Sequence, residues 1–182
     1  MPTLIHLSDL HFSPAYVPHL GEIVLKDIDT LNPDALVISG DFTLRARHRE
    51  YQAACTFLSL VTQPMLMIPG NHDQPIFQPI ERLTRPFGRY QQYIHNDTDS
   101  TLAVAGLFVV GLNDNRPILP GGFWSREQRV WLEQQLSRAP RGAVKIVATH
   151  HQLLWEGRWR PAGFWYPSRA LDWLARSGVE LV

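Results

Sequence analysis

The chain is 182 residues long, with 45% of them hydrophobic and 19% charged, which supplies apolar material for one core and argues against disorder. Seventeen Lys and Arg balance 17 Asp and Glu, so the general attraction on which whole-surface binders of nucleic acid or anionic membranes rely is missing. Cys55 is the only cysteine, which excludes an intrachain disulfide framework and a thiolate zinc cluster.

From the N-terminus, Met1-Pro2-Thr3-Leu4-Ile5 shows no basic stretch followed by an apolar one, and no later window approaches an apolar membrane span. A cytoplasmic protein is expected. Short apolar runs at Leu4 to Leu7, Ala35 to Ser39, Met65 to Ile68, Leu102 to Ala105, Leu107 to Gly111 and Val144 to Ala148 predict buried strands. Helical spacing over His19 to Leu31, Glu50 to Leu60 and Ser125 to Leu136 predicts helices between them, the last opening on a Ser125-x-x-Gln128 capping box. The alternation gives an α/β class in a single domain over residues 1–182. Two consecutive strands at 102–111 predict a hairpin, hence a mixed sheet or two sheets. A last helix is expected over Ser168 to Arg176, and Gly178 to Val182 starts another strand.

Four of the predicted strands run into polar residues: Ser8-Asp9-Leu10-His11, Gly40-Asp41, Gly70-Asn71-His72-Asp73 and Thr149-His150-His151. The carboxyl ends of strands line the ligand crevice of α/β sheets, so these groups are placed to converge. An extended segment would put Asp9 and His11 on one face, able to grip one ion. Carboxylate with imidazole suits Mn, Fe or Zn, Asn71 adds a neutral oxygen and His150 a second imidazole. Asp41 is placed to bridge two cations. Two metals about 3.5–4 Å apart lower the pKa of a bridging water and clamp both oxygens of an in-line phosphoryl displacement, so the pattern points to phosphoester hydrolysis.

Taken together, Asp9-x-His11, Gly40-Asp41, Gly70-Asn71-His72-Asp73 and His150 resemble the first four motifs of calcineurin-like metallophosphoesterases. The opening Ile5 to His11 and Gly40-Asp41-Phe42-Thr43 look most like bacterial class III cyclic-nucleotide phosphodiesterases and glycerophosphodiesterases. The resemblance implies a two-sheet αββα sandwich and a dinuclear site. Asp9 and His11 would bind one metal, Asn71 and His150 the other, and Asp41 would bridge. His72 would stand beside the phosphate, with Asp73 either orienting it or capping the next turn. It also implies a small phosphoester substrate, such as a cyclic nucleotide or glycerophosphodiester.

The family's fifth motif, Gly-His-x-His, is not in the sequence, and Gly178 to Val182 lies where its strand would begin. The expectation is a domain lacking its last strands. Its final run would be poorly paired or would pair with a second copy through the exposed sheet edge. The alternative function is a catalytically weak metal-binding remnant or interaction module. A nuclease is disfavoured by the zero net charge.

His6 is read as a structural histidine and His150, not His151, as the ligand. Arg45, Arg47, His48 and Arg49 form a charge run that most simply is a solvated face. Trp155, Trp159, Phe164, Trp165 and Tyr166 are read as a lid, as loop packing, or as a contact surface.

Overall fold

Short runs of apolar residues become strands here because alternate side chains find two different apolar surfaces. The computed structural model describes residues 2–154 and 163–182. Strands β1 (Leu4–Leu7), β2 (Ala35–Ile38) and β3 (Met65–Met67) pair in parallel in the order β1-β2-β3. Helices α1 (Pro18–Leu31) and α2 (His48–Leu58) make the two crossovers. After two short helices, α3 (Pro79–Thr84) and α4 (Gly88–Tyr93), the chain enters β4 (Ser100–Val104), which pairs antiparallel with β5 (Leu107–Gly111). Helix α5 (Arg126–Ser137) then leads to β6 (Val144–Ala148), parallel to β5, and α6 (Pro167–Arg176) follows.

The side-chain clusters define four layers. In β5, Leu107 and Val109 face the first sheet and pack with Val37, Leu66 and Ile68. Their neighbours Phe108 and Val110 face the other way, onto Leu132, Leu136 and Leu174 of α5 and α6. In β2, Val37 is turned inward, while Leu36 packs with Ile28 of α1 and Ile38 with Tyr51, Ala54 and Phe57 of α2. This strict period of two makes a sandwich of two sheets with helices outside both. The αββα expectation is met, with strand boundaries within two residues of those read from the sequence.

Local chemistry explains most boundaries. Pro18 occupies the first turn of α1, where a missing N–H costs nothing, and Asn32 ends the helix at φ 42 with its N–H on the Ile28 carbonyl. Helix α2 begins at His48, ahead of the expected Glu50. The buried Glu50 carboxylate accepts the N–H groups of Arg45 (2.8 Å) and Arg47 (3.3 Å). In α5 the Ser125 hydroxyl accepts from the Gln128 N–H, and the Gln128 side chain accepts from the Ser125 N–H, each at 3.1 Å. The hairpin turns on Ala105 (φ 50) and Gly106 (φ 84), both left-handed as a two-residue turn requires.

Two elements escaped the sequence reading. Helices α3 and α4 are six residues each, too short for a 3.6-residue period to register. Tertiary contacts hold them: Tyr90 is fully buried, Tyr93 stacks on Tyr51 with ring centroids 5.5 Å apart, and Arg89 joins Glu81 to the Ala46 carbonyl. The end of the chain agrees with the expectation that Gly178 to Val182 starts another strand. Leu181 forms a parallel bridge with Ile146, and its carbonyl accepts the Val147 N–H at 3.0 Å, so this run begins a strand along β6. Among the described residues no helix is long and apolar enough to cross a membrane.

Candidate metal centre

Parallel pairing carries the carboxyl ends of β1, β2 and β3 to one edge, and the loops beyond them continue to zip together. Asp9 N–H donates to the Gly40 carbonyl (3.1 Å), His11 N–H to Asp41 (2.9 Å) and Phe12 N–H to Phe42 (2.9 Å). Within this ladder Asp9 (φ 57), His11 (φ 47) and Asp41 (φ 56) are all left-handed. The segment is therefore not extended, as the spacing of Asp9 and His11 had suggested; coiled backbone, not strand alternation, brings their side chains together. Such conformations cost energy in residues with a Cβ and persist where surrounding hydrogen bonds enforce them.

Glycine lets the loops touch. A Cβ on Gly40 (φ +99) would lie 2.5 Å from the Gly70 nitrogen, and one on Gly70 would overlap the Asp41 carboxylate. The Gly-Asp and Gly-Asn-His segments need glycine for close approach as well as for turning.

Asp9, His11 and Asp41 form a group whose ligating atoms all lie within 4.8 Å of one another. His11 Nε2 is 3.4 Å from Asp9 Oδ1 and 3.6 Å from Asp41 Oδ2. On the other side of Asp41, Oδ1 is 3.5 Å from His150 Nε2, which is 3.0 Å from Asn71 Oδ1. The buried Asp41 thus turns one oxygen toward His11 and the other toward His150. His150 Nδ1 lies 2.8 Å from the Ser39 carbonyl. In the tautomer that donates its proton there, Nε2 would carry a lone pair. It would then share one space with Asp41 Oδ1 and Asn71 Oδ1, an arrangement that suits a cation. Carboxylate, imidazole and amide oxygen together fit a borderline transition-metal ion. His151, by contrast, turns into the core, its Nδ1 3.2 Å from Asp114 Oδ1.

His72 sits beside this group, its ring edge-on to His11 with centroids 5.0 Å apart. Its Nδ1 is 2.8 Å from the Leu44 carbonyl and its backbone N–H donates to Asp41 Oδ1 at 2.8 Å. Asp73 does not touch the His72 ring. Completely buried, it accepts the N–H groups of Gly70 (2.9 Å), Thr43 (3.0 Å) and Phe42 (3.2 Å) and the Thr43 hydroxyl (3.1 Å), pinning the loop after β2 to the loop after β3. Burial pushes its carboxyl up to about 6, against the pull of those hydrogen bonds, and the nearby Asp41 charge adds to the rise.

His6 shares a 2.7 Å hydrogen bond with the Ser39 hydroxyl, and burial lowers its pKa. Arg45, Arg47, His48 and Arg49 are exposed, with Arg45 over the Phe77 ring. Trp155 and Trp159 lie outside the described residues. Phe164 packs edge-on to Trp124, and Trp165 donates its indole N–H to the Pro120 carbonyl.

The sequence reading missed Asn113-Asp114-Asn115, a fifth polar strand end, after β5. Asp114 accepts the His151 N–H (3.0 Å) and faces its ring, while Asn115 donates to the Pro69 carbonyl (2.7 Å). The rule that found the other four loops, polar residues after an apolar run, would have found this one.

The chain belongs to the calcineurin-like phosphoesterase family, a family of metal-dependent phosphoesterases, which it matches over residues 2–182. It is 32% identical over 163 residues to the glycerophosphodiester phosphodiesterase GpdQ of Enterobacter lignolyticus, covering 82% of this chain and 57% of that one. A probable GpdQ of Arcobacter nitrofigilis is 30% identical over 120 residues, 65% of this chain and 42% of that one. A probable cyclic nucleotide phosphodiesterase of Vesicomyosocius okutanii is 23% identical over 163 residues, 86% of this chain and 65% of that one. The chain spans about half the length of the first two. Among solved structures, a dimetal phosphatase from Danio rerio shares the fold with a TM-score of 0.67 at 12% identity, covering all of this chain and 79% of that one. A purple acid phosphatase from yellow lupin gives 0.65 at 12% identity, covering 85% and 31%.

Proposed function

We propose that this protein hydrolyses small phosphodiesters at a two-metal site, with Asp9 and His11 holding one ion, Asn71 and His150 the other, and Asp41 between them. The observation that carries this reading is the buried Asp41 carboxylate, one oxygen toward His11 and the other toward His150. Ions of manganese, iron or zinc bound there would activate water and offset charge on the phosphoryl oxygens.

The chain's own residues do the rest. Ser39 fixes the His150 ring through its carbonyl, and Leu44 fixes that of His72 in the same way. With Nδ1 so occupied, His72 presents Nε2 to the substrate and, when protonated, donates to the departing ester oxygen. Asp73 acts as a positioning residue, holding the loops that carry Asp41 and His72 in register. The relatives, glycerophosphodiester and cyclic nucleotide phosphodiesterases, favour a diester over a monoester.

The test compares Asp41→Asn with Asp9→Asn by elemental analysis after dialysis from Mn²⁺ and by turnover of bis(p-nitrophenyl) phosphate. Asp41→Asn is expected to lose more metal and more activity, because it serves both ions. Two tightly retained metals and unchanged turnover in Asp41→Asn would refute the bridging assignment.

A further inference from the structure

A cavity of about 190 Å³ opens beside the candidate metal centre, lined by Asn71 and His151 together with Arg82, Arg116, Ile118 and Leu119. Both guanidinium groups have partners within the chain. Arg82 donates through Nε to the Pro117 carbonyl and through Nη1 to the Pro75 carbonyl. The Arg116 guanidinium carbon lies over the Phe123 ring, 4.0 Å from its centroid, and the Arg116 carbonyl accepts the amide of the fully buried Gln74 at 3.3 Å. The two segments are therefore tied to each other, and the cavity between them is built, not incidental.

Charge is unbalanced there. Among the described residues the arginine paired with a carboxylate is Arg89, on Glu81, and neither Arg82 nor Arg116 has such a partner. Burial lowers the pKa of both. Both are only partly buried and keep guanidinium donors free of a carboxylate partner, and the planar fork matches carboxylate or phosphate oxygens.

We infer that this cavity receives a second anionic group of the substrate, so that preferred substrates are phosphoesters bearing a carboxylate or a further phosphate. The inference rests on the proposed metal centre, which takes the reacting phosphoryl group on the other side of Asn71. Ile118 and Leu119 give the intervening carbon atoms an apolar wall.

The experiment titrates the Mn²⁺-loaded chain calorimetrically with ω-carboxyalkylphosphonates of graded chain length and with matched phosphonates ending in an isopropyl group. At one favoured length the carboxylate is expected to tighten binding by about tenfold, the scale of one charge-assisted hydrogen bond. That gain should disappear in Arg116→Gln and in Arg82→Gln, while the isopropyl series binds as in the parent chain. A parallel series of bisphosphonates distinguishes phosphate from carboxylate as the preferred second anion. No gain at any length in the parent chain, with both carboxylate and isopropyl series bound, would overturn the inference and leave the metal centre standing. It also fails if the arginine variants weaken both series equally, since the arginines would then grip the reacting group itself. If no series binds the loaded chain, the metal-centre reading fails and the inference falls with it.

Discussion

Asp9, His11 and Asp41 hold left-handed backbone conformations that hydrogen bonds between neighbouring loops enforce. The hydrogen bonds that offset this strain hold the three side chains together, so the residues that support the loops are expected to be as sensitive to change as the three themselves. Gly70 is the clearest case, because any Cβ there overlaps Asp41. Gly70→Ala is expected to weaken Mn²⁺ binding by at least about tenfold and to cost about 1–3 kcal/mol of stability, the usual range for overpacking. Calorimetric titration and urea unfolding measure the two effects. His72→Ala should behave in the opposite way, leaving metal occupancy near that of the parent and lowering kcat by about 10²–10⁴-fold, as for loss of a positioned acid or base. Loss of metal from that variant would make His72 a ligand.

Among the elements, the junction of β4, β5 and α5 depends on one partly buried acid, Asp99. The Asp99 carboxylate accepts the Asn113 N–H at 2.7 Å and the Gln128 amide at 3.2 Å. Burial raises its pKa despite these bonds, and the charge of Asp114 adds to the rise. A raised carboxyl pKa means the folded state holds the proton more tightly than the unfolded chain. Stability from this group is therefore present below the ordinary carboxylate pKa and falls as pH rises through the raised value. Asp99→Asn removes that titration and keeps an acceptor for Asn113. The variant should gain on the parent chain as pH goes from acid to neutral in matched urea-unfolding series. A difference that stays constant with pH would show that Asp99 titrates alike in both states.

At the scale of the whole molecule, the two sheets come into close contact where the end of β5 faces β3 and the residue after it. A Cβ on Gly111 would lie 2.6 Å from both Ile68 Cγ2 and Leu66 Cδ2. Gly111→Ala is expected to destabilise by about 1–3 kcal/mol through overpacking, and combining it with Leu66→Ala should cost less than the sum of the two single changes. Strict additivity in denaturant unfolding would mean that the sheets separate to accommodate the methyl group.

What the sequence by itself determined follows from local physics. Short apolar runs bounded by turn residues specify buried strands. The Ser125 and Gln128 pair bounds a helix, and polar residues placed after apolar runs mark the edge where ligands gather. These signals are contained within a few consecutive residues, so the α/β class and the convergence of Asp9, His11, Asp41, Asn71 and His150 on one edge were legible, whereas the αββα sandwich and the place of His72 followed from the resemblance that the combined motifs carry. Tertiary structure alone decided the features that depend on residues distant in the chain. Helices α3 and α4 are held by contacts, not by their own periodicity, and Asp73 spends its oxygens on the backbone of another loop instead of on His72. His150 is distinguished from His151 by partners on other strands: Ser39 turns one ring toward Asn71, and Asp114 draws the other into the core. Arg82 and Arg116 become neighbours only when the segments after β3 and β5 fold against each other. Hydrogen bonds and charge act through space, and no local pattern encodes which distant partner a side chain will meet.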